Sequence, residues 1–415
     1  MKSKVGILSL GCPRNLVDSE HIAGRLRSKG YKITDINKAD VAIVNTCAFI
    51  DDAKAESVDA ILQLIDLKKK GKLKKVLVYG CLSQRYHVEL PKELSQIDAF
   101  VGRVSLDEGI ERFALTPKHY SYLKICEGCI NNCSFCVIHK IKGKFCSIDE
   151  YSLIEKVKAL DADKISELNI IGQDISGYGI DIYGKYKLAG LIKNISMSCD
   201  NIKWLRLLYL YPSRVNDELL RLVNDDPKIC KYLDVPIQHI NSRLLKLMNR
   251  DTDSRGILEL ISRIRKIVPE AAIRTSIIVG FPSETHKEFE ELLDFVRDTR
   301  FDRLGAFMYS AEEGTPAHGF KDQVPEKVKK DRFNAIMTLQ QQISVENNAK
   351  FLGRTIDVII DAKEKDHYLG RSQFDAPEVD GLVYVTGSRV LKRGDIVKVK
   401  INDTLEYDLR GEIVQ

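Results

Sequence analysis

Three cysteines fall within eight residues, Cys129-Ile-Asn-Asn-Cys133-Ser-Phe-Cys136, spaced C-x3-C-x2-C. Soft thiolates from one short loop can ligate three irons of a 4Fe-4S cluster and leave the fourth iron open. An open iron can bind and reduce a small molecule, whereas an electron carrier fills all four positions with protein thiolates. Structural zinc is the alternative, but zinc takes four ligands in paired C-x2-C groups, which this run lacks. Three further cysteines are dispersed: Gly11-Cys12, Thr46-Cys47 and Gly80-Cys81. Free cysteine is among the most buried residue types, so each of these alone reads as packing. Their shared context points further, because each closes a short apolar stretch.

Those stretches are Val5 to Leu10, Asp40 to Asn45 and Lys75 to Tyr79, separated by helical patterns at Ser19 to Lys29 and Ala55 to Leu67. Short strands joined by helices imply a parallel α/β sheet, whose strands share one carboxyl edge where ligands normally sit. The three thiols are therefore expected to converge. The alternation restarts with strands at Tyr120 to Ile125, Glu167 to Ile171, Trp204 to Tyr209, Tyr232 to Pro236, Ala272 to Val279 and Leu304 to Tyr309. Six βα units make an incomplete barrel with an open side, since eight would close it. A polar helix from about Pro325 to Lys350 leads out. Short strand-like segments at Thr355 to Ile360, Gly381 to Val385, Ile396 to Ile401 and Tyr407 to Val414 then read as a small antiparallel β-barrel. The expected domains are 1–117, 118–349 and 350–415.

Ten cysteines in 415 residues, with no secretion signal beyond a faint Leu-Gly-Cys imitation at the start, do not make a disulfide scaffold. The expected compartment is the cytoplasm, where clustered thiols bind metal or do chemistry. No apolar run approaches the roughly 18 residues of a membrane helix, so no membrane partner is expected. A net charge of +5 neither demands nor excludes a polyanion. Cys126, Cys146, Cys199 and Cys230 lie outside both sets and read as packing residues.

The run ending in Phe135-Cys136 resembles the radical S-adenosylmethionine (SAM) signature. Leu10-Gly11-Cys12-Pro13-Arg14-Asn15, Asn45-Thr46-Cys47 and Tyr79-Gly80-Cys81 resemble the amino-terminal domain of radical SAM methylthiotransferases. The resemblance implies two 4Fe-4S clusters, one on Cys129, Cys133 and Cys136 and an auxiliary one on Cys12, Cys47 and Cys81. It also implies SAM cleaved to a 5'-deoxyadenosyl radical. Gly172-Gln173-Asp174 after the second central strand and Gly280 after the fifth lie where family members bind SAM. The alternative for them is turn glycines. Arg206, Gln238, His239 and Arg274 lie on or beside strands and are candidate cofactor or substrate contacts.

Two branches of the family compete, one acting on adenosine in transfer RNA and one on an aspartate of a small-subunit ribosomal protein. The stretch from Lys350 to Gln415 holds 11 Lys and Arg against 12 Asp and Glu, net −1, with Asp375, Glu378 and Asp380 among the acids. A phosphate-gripping tail should be basic, whereas this one suits a basic protein. Cys12-Pro13-Arg14-Asn15-Leu16-Val17-Asp18-Ser19-Glu20, Glu313-Gly314-Thr315-Pro316 and Arg371-Ser372 with Asp375-Ala376-Pro377-Glu378-Val379-Asp380-Gly381 resemble the ribosomal-protein branch. That branch implies methylthio transfer to the β-carbon of the aspartate, a TRAM-like last domain, and a reductase or flavodoxin-type electron donor. Transfer RNA is the alternative substrate, and a non-catalytic electron-transfer protein is the alternative class. After Cys136 the family has Ile-Pro and then Arg-Gly, while this chain has Ile138-His139 and Lys142-Gly143, and lysine gives up arginine's bidentate fork.

Overall fold

The computed structural model describes residues 3–102 and 112–414. Strands β1 (Lys4–Ser9), β2 (Lys32–Thr34), β3 (Val41–Thr46), β4 (Lys75–Gly80) and β5 (Ala99–Val101) form one sheet in the order β2-β1-β3-β4-β5. All its pairs are parallel. The three expected strands are present, flanked by two short edge strands. β-branched residues alternate between two covered faces: Val5 and Ile43 pack on one, Ala42, Val44, Val76 and Val78 on the other. The first helix, Pro13–Ser28, begins before the expected Ser19. Cys12 takes the extended capping position and Pro13 the first helical one, where its fixed φ is pre-organised.

The central sheet begins with β6 (Tyr120–Lys124). A two-strand hairpin, β7 (Cys126–Glu127) and β8 (Cys146–Ser147), then frames the loop that carries Cys129, Cys133 and Cys136. β9 (Glu167–Ile171), β10 (Trp204–Leu207), β11 (Ile229–Asp234), β12 (Ala272–Val279) and β13 (Arg303–Met308) follow. The six strands run β13-β12-β11-β10-β9-β6, parallel and unclosed. Their helices bury apolar stripes against the sheet. The His286–Thr299 helix is fixed at its start by a capping box between Thr285 and Glu288.

The chain ends in β14 (Thr355–Lys363), β15 (Tyr368–Ser372), β16 (Val383–Thr386), β17 (Ile396–Thr404) and β18 (Leu409–Ile413), a closed barrel ordered β14-β15-β16-β18-β17. It departs from the expected antiparallel barrel in one pair, because β16 and β18 run parallel. β15 was not anticipated: Gly370 and Arg371 break its apolar pattern. Phe374 and Ala376, in the loop after β15, pack with Tyr120, Trp204, Tyr232 and Ala272 of the central strands, so the barrel's loop closes that end of the sheet. Among the described residues no helix is long and apolar enough to cross a membrane.

Candidate functional site: a cavity lined by six thiols

The amino-terminal thiols stand at the carboxyl edge of their sheet. Cys12 caps the Pro13–Ser28 helix, Cys47 follows β3 directly, and Cys81 opens the Cys81–Arg85 helix after β4. Two glycines make this possible. Gly11 has φ +83°, and a Cβ there would stand 2.7 Å from the Cys47 Cβ. Gly80 has φ +101°, and a Cβ there would meet Asn45 Oδ1 at 2.2 Å. Neither position accepts a side chain. Asn15 ties the edge together, donating from Nδ2 to the Leu10 and Thr46 carbonyls at 3.1 Å each. The Ser57 hydroxyl accepts from the Cys47 amide at 3.0 Å and donates to its carbonyl at 2.9 Å.

The second set is held from its own loop and from the central sheet. The backbone and side-chain amides of Asn131 each donate to Cys129 Sγ at 3.4 Å. Ser134 is pinned by its amide to the Met248 carbonyl at 2.9 Å and by its hydroxyl to the Leu247 carbonyl at 2.7 Å. All six thiols, Cys12, Cys47, Cys81, Cys129, Cys133 and Cys136, line one cavity of about 280 Å3. Phe135, Gln173, Tyr209, Tyr211 and Gln238 complete much of its wall. A second cavity of about 340 Å3 shares Arg14, Phe49, Phe135, Tyr209 and Gln238 with the first and continues to Tyr232, Asp234 and Arg274.

Charge is arranged around the thiols. Burial raises the Cys12 thiol, but the charge and hydrogen bond of Arg14, with the Asn15 amide and the Lys142 charge, together outweigh it and leave Cys12 below the ordinary cysteine range. Burial pushes Cys81 and Cys136 up to about 12 and raises Cys47 and Cys129 as well. Lys142, the family's arginine position, is buried with Nζ 2.9 Å from Asp18 Oδ2. Lys124 reaches Asp18 Oδ1 and Glu127 Oε2 at 2.5 Å each. Burial raises the Asp18 carboxyl, yet these two ammonium groups bring it down to about 2. A lysine point charge completes this network without a fork.

Among the described residues no three His, Cys, Asp or Glu side chains gather closely enough for a single metal ion. Zinc draws four ligands to one point at about 2.3 Å, and the six thiols are instead spread around a cavity. Soft donors on a wall of that size suit polynuclear groups. Gln173 Oε1 is buried with no partner among the described residues, an acceptor ready for a ligand N–H.

Three family models match the chain: "Uncharacterized protein family UPF0004" over residues 4–102, the Radical SAM superfamily over 123–296 and the TRAM domain over 352–414. Relatives named ribosomal protein uS12 methylthiotransferase RimO match along nearly their whole length. The protein of Caldicellulosiruptor saccharolyticus is 46% identical, over 99% of this chain and 100% of its own. That of Clostridioides difficile is 44% identical over 99% of each. The chain belongs to the RimO methylthiotransferase family. It is a transferase of the radical SAM superfamily. Among solved structures, the radical SAM methyltransferase TsrM of Kitasatospora setae shares the fold, with a TM-score of 0.54 at 12% identity over 82% of this chain and 89% of that one.

The other sequence candidates divide. Phe135, Gln173 and Gln238 line the thiol cavity, and Arg274 lines the adjoining one with Nη1 3.1 Å from Asp234 Oδ1. Gln238 holds a left-handed φ of +73°, fixed where its amide donates to the Ser276 carbonyl and its carbonyl accepts from Ile278. Arg206 lines neither cavity. It is fully buried, bonded to Glu167 Oε1 at 2.8 Å and to the Gln373 carbonyl at 2.7 Å, and so fastens the carboxyl-terminal barrel to the central sheet. Gly280 is also outside the cavities: it turns the chain with φ +71° against Lys329 of the long Glu326–Ala349 helix. Gly172 stands behind the wall, its carbonyl taken by Arg14 Nη1 at 3.0 Å. His239 lines neither cavity and is fully buried, its Nδ1 accepting from the Asn241 amide. Cys126, Cys199 and Cys230 are buried, but Cys146 is exposed rather than packed. Sequence reasoning missed Arg250, Tyr209 and Tyr211. The Tyr-Leu-Tyr-Pro run after β10 was a usable signal for the tyrosines; nothing near Arg250 singles it out.

Proposed function

We propose that the chain is a ribosomal protein uS12 methylthiotransferase, as its relatives' printed name says of them, and that, as the family resemblance implies, it transfers the methylthio group to the β-carbon of an aspartate, using two 4Fe-4S clusters and SAM. The observation that carries this reading is two sets of three thiols on one cavity. Cys129, Cys133 and Cys136 hold the cluster that meets SAM, and Cys12, Cys47 and Cys81 hold the auxiliary one. When bound, these groups supply the electron, the radical, the sulfur and the methyl.

The chain's own residues position and shield. Phe135, Tyr209 and Tyr211 line the cavity and limit the water that shares it with a bound group. Gln173 and Gln238 orient SAM through their amides, Gln238 from a backbone conformation built into the fold. Arg274 and Tyr232 stand in the adjoining cavity, where the substrate segment enters beside the cofactor. Arg274 lines that space while its Nη1 meets Asp234 at 3.1 Å and its Nε stands 3.5 Å from Asp380. Units 1–117, 118–349 and 350–415 carry the auxiliary site, the SAM site and substrate recognition respectively. The near-neutral last unit favours a protein over a nucleic acid. A cytoplasmic setting, no membrane partner and a reductase or flavodoxin-type electron donor complete the reading.

A deletion strain compared with its parent tests it. Loss of the methylthio mass increment on uS12, with transfer RNA nucleosides unchanged, is expected. Unchanged uS12 with altered transfer RNA would overturn the substrate.

A further inference from the structure

Each thiol set carries one arginine on one sulfur. Arg14 donates from Nε to Cys12 Sγ at 3.4 Å, and its guanidinium stands 4.5 Å from the Tyr209 ring centre. Arg250 donates from Nη1 to Cys133 Sγ at 3.6 Å and from Nη2 to the Pro236 carbonyl at 2.7 Å, 4.0 Å over the Tyr211 ring. Both rings belong to the single segment Tyr209-Leu210-Tyr211, which follows β10. Among the described residues the partners of both side chains are sulfurs, carbonyls and rings, with no carboxylate ion pair on either, and Arg250 Nε is buried without a hydrogen-bond partner.

A guanidinium is always charged, and Arg14 and Arg250 sit half-buried on the cavity wall. Stacking on a tyrosine ring face offsets only part of the missing counter-charge. A group held by the sulfurs would displace the cavity water beside these cations and supply the missing counter-charge. Reduction of a cluster adds one electron and no proton, so the reduced state is one unit more negative and gains more from a nearby cation. Hydrogen bonds to cluster sulfurs are a recognised lever on potential.

Resting on the two-cluster reading above, we propose that Arg14 and Arg250 are positioning residues, one for each thiol set, that favour the reduced state of the group bound to the sulfur they touch. The tyrosine pair holds both cations in place from one segment. Arg14 also ties its own set to the SAM side through the Gly172 carbonyl, so its larger effect falls on the amino-terminal site and a smaller one on the other.

The test uses full-length protein with one set removed at a time: Cys129, Cys133 and Cys136 all changed to Ala, or Cys12, Cys47 and Cys81 all changed to Ala. After anaerobic reconstitution and iron analysis, each midpoint is measured by redox titration followed by electron paramagnetic resonance. Arg14→Gln is expected to shift the reduced-to-oxidised ratio of the amino-terminal cluster at least tenfold toward oxidised, a midpoint about 59 mV lower for one electron. Arg250→Gln should do the same to the other cluster, and each change should move the opposite cluster less. Arg14→Lys and Arg250→Lys, which keep the charge and guard against a merely structural effect, should recover part of the shift. Loaded clusters whose midpoints ignore both glutamine variants would overturn the proposal, as would lysine variants no better than glutamine. Failure of the unmodified chain to bind two clusters would instead contradict the proposed function, and this proposal with it.

Discussion

His239 shows how a buried ionisable group sets a pH limit. Its ring is fully buried, Nδ1 accepts from the Asn241 amide at 2.9 Å, and Nε2 has no partner among the described residues. Burial, with Arg332 and Arg243 adding to it against Glu288, lowers its pKa to about 3. Between the unfolded value near 6.5 and this folded value, the unfolded state binds the extra proton, so stability falls as pH falls, by about 1.36 kcal/mol per unit. At pH 5 the loss is about 2 kcal/mol. Chemical denaturation of wild type and His239→Asn at pH 7.5 and pH 5 should show a shallower acid loss in the variant; parallel loss in both would count against the assignment. Asp18 is governed by its partners instead. Asp18→Asn leaves the Lys124 and Lys142 ammonium groups sharing Glu127 alone, with an expected cost of about 2 to 3 kcal/mol in the same measurement. A cost under about 1 kcal/mol would mean that the network is solvated.

Elements place the thiols through backbone geometry. Gly80→Ala puts a Cβ on Asn45 Oδ1 and forces a left-handed backbone on alanine, about 1 to 2 kcal/mol before any clash. The expected result is a displaced Cys81 and loss of one cluster, read as a fall from about eight irons to about four per chain; unchanged iron would separate Gly80 from the site. This edge was legible in the sequence because uniformly apolar strands end in Gly-Cys or Thr-Cys. Glu167–Ile171 and Ala272–Val279 were also legible to the residue, although Glu167, Asn169, Arg274, Thr275 and Ser276 interrupt their apolar pattern. β15 was not, since closing a small barrel sets pairing that its interrupted pattern does not signal. Arg206 and Gly280 were misplaced because their partners, Gln373 and Lys329, are more than forty residues away in sequence, and no local pattern encodes that contact. The left-handed Tyr209 and Gln238 are likewise tertiary results, imposed on residues that do not prefer that region.

At the scale of the whole molecule, the two thiol sets come from different sheets, and their register depends on how those sheets dock. Glu312, 2% exposed, takes Arg85 Nη1 at 2.6 Å and Lys54 Nζ at 2.9 Å, joining the loop after β13 to the amino-terminal unit. Glu312→Ala leaves Lys54 on Asp51 but strips the buried Arg85 of its carboxylate, with an expected cost of about 3 kcal/mol. Each set keeps its own sheet, so both clusters should stay loaded while turnover falls and the amino-terminal unit is released sooner by limited proteolysis. Full turnover with unchanged proteolysis would show that the docking does not depend on this latch. Six thiols of one cavity are to hold two clusters, and iron with acid-labile sulfide after anaerobic reconstitution measures that directly. Wild type should hold about eight irons per chain, and each triple Cys→Ala chain about four. The reduced spectrum should respond to SAM only where Cys129, Cys133 and Cys136 remain. About four irons in wild type, or a SAM response surviving their replacement, would contradict it.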